Sequence, residues 1–297
     1  SYSVTGVQTC ALPISLDDNN TGYNMYLNGE VDWMTTVPLD QLESAKIRAD
    51  YHVNPQLASY YYLLNNQDPA LKDVRVRKAL SMAINRQALV DQVTKAGQLP
   101  AFGITPDMTG YQALKGNGYD VAAAKKLLAE AGFPNGQGFP KLQILYNTSE
   151  GHKKIGEFIQ QQWLENLGIN AELYNQEWAT YLATRREEDY QVARAGWVGD
   201  YQDPNTFLDM FVTGGAMNDI AFSNKEFDDL LAKAARMVPG KDRMAVMRQA
   251  EEIFITKEAA IIPLYYYVTI NMIDLTKWGG WHANVMDYHP VKDIYKK

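Results

Sequence analysis

The sequence has a single cysteine, Cys10. With that residue set aside, disulfide frameworks, thiol nucleophiles and cysteine metal sites are excluded, although scarcity of cysteine does not choose a redox compartment. Histidine is nearly as rare. His52, His152, His282 and His289 are dispersed, and no His-x3-His or Cys/His spacing exists for zinc. Also missing are a Gly-x-Ser-x-Gly elbow, a phosphate loop ending in Lys-Ser/Thr and a dinucleotide fingerprint. The carboxylate pairs Glu187–Glu188 and Asp228–Asp229 lie in charged stretches and read as solvated faces rather than glycosidase acids. The residues thus predict no enzyme, no metal and no cofactor. Positive charge is short as well: 28 Lys and Arg against 35 Asp and Glu give a net charge of −7, with no basic cluster. This argues against a nucleic-acid groove or an anionic membrane surface as partner. No apolar run has the length of a bilayer span. What is present, 46% hydrophobic residues with 11% aromatics, suffices for a large core or for two lobes.

The cysteine lies in VTGVQTCALPIS (4–15). This stretch lacks the basic start and continuous apolar run of a secretion signal. Gly6 and Pro13 also interrupt it as a strand. It resembles the conceptual translation of a sequencing adapter. Residues 1–15 are accordingly expected to be an assembly scar, with the natural chain extending further upstream.

From there on, strand and helix patterns alternate, which predicts an α/β fold. A turn at Asn28–Gly29 precedes a short strand and a helix near Pro38, and 51–66 is strand-rich with three consecutive tyrosines. Asp73 caps a helix in which Val76, Ala79, Leu80, Ala83 and Ile84 form one apolar face and which Gly97 ends. The Gly/Pro-punctuated stretch 97–120 is a boundary candidate. Asp120 caps the next helix. Strand 142–147, a helix with Ile155, Phe158, Ile159, Trp163 and Leu167 on one face, and strand 169–175 make a βαβ unit. A helix at EWATYLATRREE and a strand at 190–197 lead to the loop VGDYQDPN. Ser223 and Glu226 read as a capping box. A long helix and a strand containing Tyr265, Tyr266 and Tyr267 follow.

The unusual segment is QEWATYLATRREEDYQVARAGWVGDYQDPN (176–205). Arg185 and Arg186 have a plain reading as solvent pairs of Glu187 to Asp189, and such exposed pairs are common and weak. Trp178 and Trp197 could equally be core. Arg194 differs, because it interrupts an apolar strand where an unpaired guanidinium is costly. Asp200 follows the C-terminal end of that strand, where open α/β sheets place their ligands. One acid and several bases beside aromatics suit a zwitterion, and a short peptide is one.

YYYLLNNQDPALKDVRVRKALSMAINR, LAEAGF, LYNTSEGHKK, NQEWATYLATR, ARAGWVGDYQDPNTFLDMF and IIPLYYYV together resemble the oligopeptide-binding proteins of bacterial ABC peptide importers, from about residue 20 onward. The resemblance implies a two-lobed, hinge-closing periplasmic-binding-protein-like fold, truncated here. Residues 103–267 would form one lobe, and 16–102 with 268–297 part of the other, with chain crossings near 100 and 267. A smaller N-terminal domain and the signal peptide would be missing. It further implies that Asp200 holds a peptide's α-ammonium and that Ala195, Gly196, Trp197 and Val198 offer main-chain groups by β-augmentation. Trp178 would line a side-chain pocket. Arg185, Arg186, Arg194 and His152 would meet peptide C-termini of different lengths, and Tyr266 would be the cleft-facing ring of its strand. Taken alone, His152 reads as a solvent-facing residue at a helix start. Arg186 and Val198 depart from the histidine and cysteine of well-known members; the first bears on peptide length, the second little, because that contact is through backbone. The implied partners are short peptides with a free N-terminus and the transmembrane permease, with the protein a monomer in the periplasm or lipid-anchored outside a Gram-positive cell. A receptor for dipeptides or cell-wall peptides, a peptide hydrolase, and an inactive fragment are the alternatives.

Overall fold

A computed structural model describes residues 14, 16 and 18–297. The VTGVQTCALPIS reading, including Cys10, lies outside the described residues apart from Ile14. Packing divides the chain into two units: residues up to Asn54 with Thr269–Lys297, and Pro55–Val268.

In the smaller unit, Asp18 caps helix α1 (Asn19–Leu27) by accepting from Thr21 N, and strand β1 (Trp33–Met34) and helix α2 (Leu42–Lys46) follow. β1 pairs antiparallel with residues 272–273, and Trp33 Nε1 donates to Asn271 Oδ1 at 2.7 Å. The chain leaves this unit within β2 (Tyr51–Leu64).

The larger unit begins with the rest of β2. Asp73 caps α3 (Val74–Met82) as expected, but the helix stops there, because Asn85 caps a new one, α4 (Arg86–Leu89), by accepting from Ala88 N. After the short strand β3 (Leu99–Pro100), Asp120 caps α5 (Val121–Glu130). The βαβ unit forms from β4 (Leu142–Asn147), α6 (Glu150–Leu167) and β5 (Ala171–Gln176), with β4 and β5 parallel. Gly168 ends α6 in the left-handed region at φ +70°, and a Cβ there would lie 2.4 Å from Asn135 O. Glycine is therefore required. Next come α7 (Trp178–Arg186), β6 (Val192–Val198), α8 (Asn205–Leu208), α9 (Lys225–Ala234), α10 (Lys241–Glu251) and β7 (Ile261–Ile273). α9 is capped by Asn224, whose Oδ1 accepts from Phe227 N at 3.0 Å, not by the Ser223–Glu226 box. β8 (Trp278–Gly279) and β9 (Tyr295–Lys296) pair with each other near the chain end.

Within the sheet the strand order is β7, β2, β6, β4, β5, with β3 on β7. Tyr60, Tyr62, Leu64, Val76, Leu80, Ile144, Ile159, Trp163 and Val192 are fully buried in one core that joins the sheet to α3, α5 and α6. This corrects the expected division near residue 100. Residues 58–64 pair with 192–198, and α3 lies against α5, so 55–102 belongs to the larger unit. The second division, expected near 267, falls between Val268 and Thr269.

Glu251 is fully buried at the end of α10. Its carboxylate accepts from Ile104 N (2.8 Å), Thr105 N (2.9 Å) and the Tyr111 hydroxyl. Burial raises its pKa against the lowering effect of these bonds. Removing the acceptor strands two buried amides, each costing about 1–3 kcal/mol. Glu251→Ala is expected to destabilise the protein by about 3 kcal/mol, read as a lower urea midpoint; an unchanged midpoint would contradict the assigned role.

Candidate functional site

The site is built around β6, within the larger unit. β6 runs antiparallel to β2 with Val198 opposite Ala58, Gly196 opposite Tyr60 and Arg194 opposite Tyr62. Flanking bonds fix which groups point where: Gly199 N–H donates to Leu57 O (2.8 Å) and Asn65 N–H to Gln191 O (2.9 Å). Bonded pairs alternate along an antiparallel ladder. Residues 193, 195 and 197 therefore bond to β2, while Arg194, Gly196 and Val198 turn their N–H and C=O groups to the other side. There β4 pairs only at Ile144↔Val192 and Leu145↔Ala193. No described strand continues beyond, and both Gly196 and Val198 are exposed. β6 thus carries a two-residue open edge inside the sheet, where β4 stops short of it. Of the four main-chain residues expected to meet a peptide, Gly196 and Val198 are on this edge. Ala195 and Trp197 are not, because the register commits their backbone to β2.

The edge leads into Asp200. A Cβ at Gly199 would sit 2.9 Å from Leu57 Cδ2 and 3.1 Å from Thr206 Cγ2, so any larger residue would have to displace these side chains. The buried Thr206 hydroxyl accepts from both Trp197 Nε1 and Asp200 N, each at 3.2 Å. These two bonds set the loop and leave the exposed Asp200 carboxylate without a hydrogen bond or ion pair among the described residues. Asp203 is neutralised by Arg243. Asp209 has its pKa raised, first by burial and then by the charges of Asp200 and Asp203, against a bond from Asn205. Net negative charge collects here, and it suits a cation.

Arg194 lies on the same face as Gly196. Its Nη1 donates to Asn147 Oδ1 (3.0 Å), its guanidinium lies 5.2 Å from the centre of the Tyr60 ring, and its buried Nε has no hydrogen-bond partner among the described residues. No carboxylate among the described residues forms an ion pair with it. A cation held by an amide and an aromatic face retains its demand for an anion. Tyr60 stacks on Tyr265 (4.7 Å, 13°), which meets Tyr267 edge-on at 5.2 Å. A Cβ at Gly196 would be 3.2 Å from the Tyr267 hydroxyl.

The other expected residues divide. Trp178 is 53% exposed and stacks on Tyr181 (5.6 Å, 22°), as a pocket wall would. Arg185 pairs with Asp219 (2.8 Å), not with Glu187 to Asp189, so its charge is already met. Arg186 is exposed and makes no hydrogen bond or ion pair among the described residues, and nothing brings it to the Arg194 cluster. His152 is not the solvent-facing residue of the plain reading. It is half-buried in α6, with Nδ1 3.2 Å from the Tyr60 hydroxyl. Burial, and then the charge of Arg194, depress its pKa to about 3. It is therefore neutral at neutral pH and cannot act as a cation there. Tyr266 is corrected as well. Strand alternation puts it on the face opposite Tyr265 and Tyr267, buried, with its hydroxyl donating to Gly103 O (3.0 Å). Tyr267, half-buried, is the ring of the three whose hydroxyl approaches Gly196. Tyr60, Asn147, Tyr181 and Thr206 were not singled out from sequence. Alternation from Arg194 could have marked Tyr60 only if the strand register had been known.

An open strand edge ending in a partnerless carboxylate, beside a cation among tyrosines, has the chemistry of solute capture. The chain belongs to the bacterial extracellular solute-binding proteins, family 5, whose Middle-region model matches residues 11–219. It is 36% identical over 302 residues to the periplasmic oligopeptide-binding protein OppA of Escherichia coli K12, covering 97% of this chain and 54% of that protein. The periplasmic murein peptide-binding protein MppA of the same strain is 36% identical over 272 residues, covering 88% and 50%. Among solved structures, a periplasmic oligopeptide-binding protein (OppAIV) of Borrelia burgdorferi superposes with a TM-score of 0.85 at 39% identity, over 95% of this chain and 57% of that one. Haemophilus influenzae OppA, solved in complex with RPPGFSPFR, gives a TM-score of 0.81 at 29% identity, over 95% and 57%. The chain spans about half the length of the curated relatives it matches. Members of the family are solute-binding proteins. Among the described residues, no helix is long and apolar enough to cross a membrane.

The His152 ring has a pH consequence. Its folded pKa lies below its ordinary 6.5, so on acidification the unfolded chain binds the proton first. The stability held by the neutral ring is complete above about pH 6.5 and is lost as pH falls from there toward 3. Between pH 7 and 5 the wild-type protein is expected to lose about 1 to 2 kcal/mol more than His152→Phe, measured by urea unfolding at both pH values. Equal losses would show that the ring is not held neutral by its surroundings.

Proposed function

We propose that the protein is the peptide-capturing component of an ABC importer, holding short peptides by backbone and N-terminus and passing them to a membrane permease. The observation that carries this is the open edge of β6 at Gly196 and Val198, leading to the partnerless carboxylate of Asp200. An extended peptide adds to such an edge by main-chain bonds that ignore its sequence. Asp200 receives the α-ammonium, and Arg194, lacking a counter-anion, receives a carboxylate. Trp178 and Tyr267 supply aromatic walls for side chains, while His152 contributes a neutral polar contact. Arg185, already paired, meets a carboxylate only in competition with Asp219. The names of the relatives, which are oligopeptide- and murein-peptide-binding proteins, support the substrate class and a periplasmic or extracellular site of action. The protein acts as a monomer, and hinge closure buries the ligand.

A hydrogen bond to a charged group contributes about 1.5–3 kcal/mol, or at least tenfold in affinity. Acetylating the N-terminus of a tripeptide, or the substitution Asp200→Asn, is therefore expected to weaken binding tenfold or more in calorimetric titration. Equal affinity for free and acetylated peptides would overturn the anchor. Intact peptide after prolonged incubation is the expected result for a binding protein, whereas cleavage products would favour a hydrolase.

A further inference from the structure

We propose that Tyr181 is a positioning residue that sets how far along β6 a ligand's backbone can bond, an inference that rests on the peptide-binding reading above. The β4 ladder ends at Leu145↔Ala193, which leaves the Arg194 carbonyl as the first outward-facing acceptor beyond it. That carbonyl does not belong to the open edge, because the Tyr181 hydroxyl donates to it. Tyr181 is fully buried on α7 and cannot swing away cheaply. Its ring stacks on Trp178 (5.6 Å, 22°) and has the Arg185 guanidinium over it, 5.6 Å from the ring centre. The hydroxyl's polarity is fixed from the other side. Arg185 Nη1 donates toward its oxygen at 3.4 Å, and Asp219 holds Arg185 at 2.8 Å. An arginine offers only donors, so the single tyrosine proton is directed to the Arg194 carbonyl.

The consequence is a stop on the ladder. A ligand strand bonds the outward groups of Gly196 and Val198 and then meets a carbonyl whose outward approach the Tyr181 hydroxyl already occupies. Ligand residues beyond that point are held by their side chains and C-terminus, not by the β6 backbone. The same side chain supports Trp178, so the end of backbone reading coincides with the start of an aromatic wall. Phenylalanine at 181 would keep the packing and leave the carbonyl open to a ligand N–H.

The test is an N-methyl scan of alanine tri-, tetra- and pentapeptides, titrated against the wild-type protein and Tyr181→Phe. The amides whose methylation weakens wild-type binding mark the partners of the Gly196 and Val198 carbonyls, and the next alternate amide is the one that faces Arg194. At that amide, the methyl group should change wild-type affinity less than twofold, but weaken binding to Tyr181→Phe about fivefold to tenfold, the scale of one neutral hydrogen bond. A general loss of stability in the variant would weaken all peptides alike and would not create one new sensitive position. Identical methylation profiles in the two proteins would overturn the inference while leaving peptide binding intact. Failure of the wild-type protein to bind any unmethylated peptide would overturn the peptide-binding reading, and this inference with it. Should Tyr181→Phe not fold, the wild-type scan decides: tolerance at the Arg194-facing amide supports the assignment and a loss there refutes it.

Discussion

The register between β2 and β6 is the constraint on which the rest of the site depends. Pairing Gly196 with Tyr60 commits every second residue of β6 to β2 and turns the others outward. A shift of one residue would exchange these sets, hiding the backbone of Gly196 and Val198 and moving Arg194 to the opposite face. The register is held by burial, since Tyr60, Tyr62 and Leu64 on β2 and Val192 on β6 fill one core and alternate with the residues of the other face. It is also held at its ends, by the Gly199–Leu57 bond and the Asn65–Gln191 bond. Because the sheet core and the candidate site share these strands, folding stability and site geometry are the same property here.

Around the open edge, charge is distributed with opposite sign at its two ends. Asp200 sits where β6 ends, kept unpaired by two bonds that restrain its loop and not its carboxylate. Arg194 sits back along the strand, where an amide and a tyrosine face meet its guanidinium and no carboxylate among the described residues pairs with it. That positive charge is itself a reason His152 is neutral, together with burial of the ring. Of the four basic residues that the resemblance implied, Arg194 alone stands beside this edge as a cation without an ion pair among the described residues. Arg185 is used in building α7 onto Asp219, and Arg186 stays in solvent. Uncompensated charges at both ends of a short strand edge match a small zwitterion better than a long neutral chain.

Much of this was legible from residues. Caps at Asp73 and Asp120 and the apolar face of α6 are local signals, and they predict their helices because the determining contacts are a few residues apart. Arg194 stood out because it interrupts an apolar strand, and Asp200 because it follows that strand's C-terminal end. The failures are non-local. Nothing within Tyr265–Tyr266–Tyr267 says which face of a strand is which; that follows from pairing with residues over 150 positions away, and Tyr266 fell on the wrong side. Assigning 55–102 to the wrong unit has the same origin, since only the β2–β6 ladder reveals that β2 lies inside the larger sheet. The Ser223 box was displaced by one residue, because Asn224 supplies an equally good acceptor one step closer to the helix.

Peptide capture at this edge requires that Gly196 and Val198, and not their neighbours, present free backbone to a ligand. Amide hydrogen exchange resolved to single residues, measured with and without a saturating tripeptide, tests it most directly. Addition of the peptide is predicted to slow exchange at the Gly196 and Val198 amides while leaving those of Ala195 and Trp197, already bonded to β2, unchanged. Protection spread evenly over all four amides, or absent from Gly196 and Val198 while the peptide is bound, would contradict it.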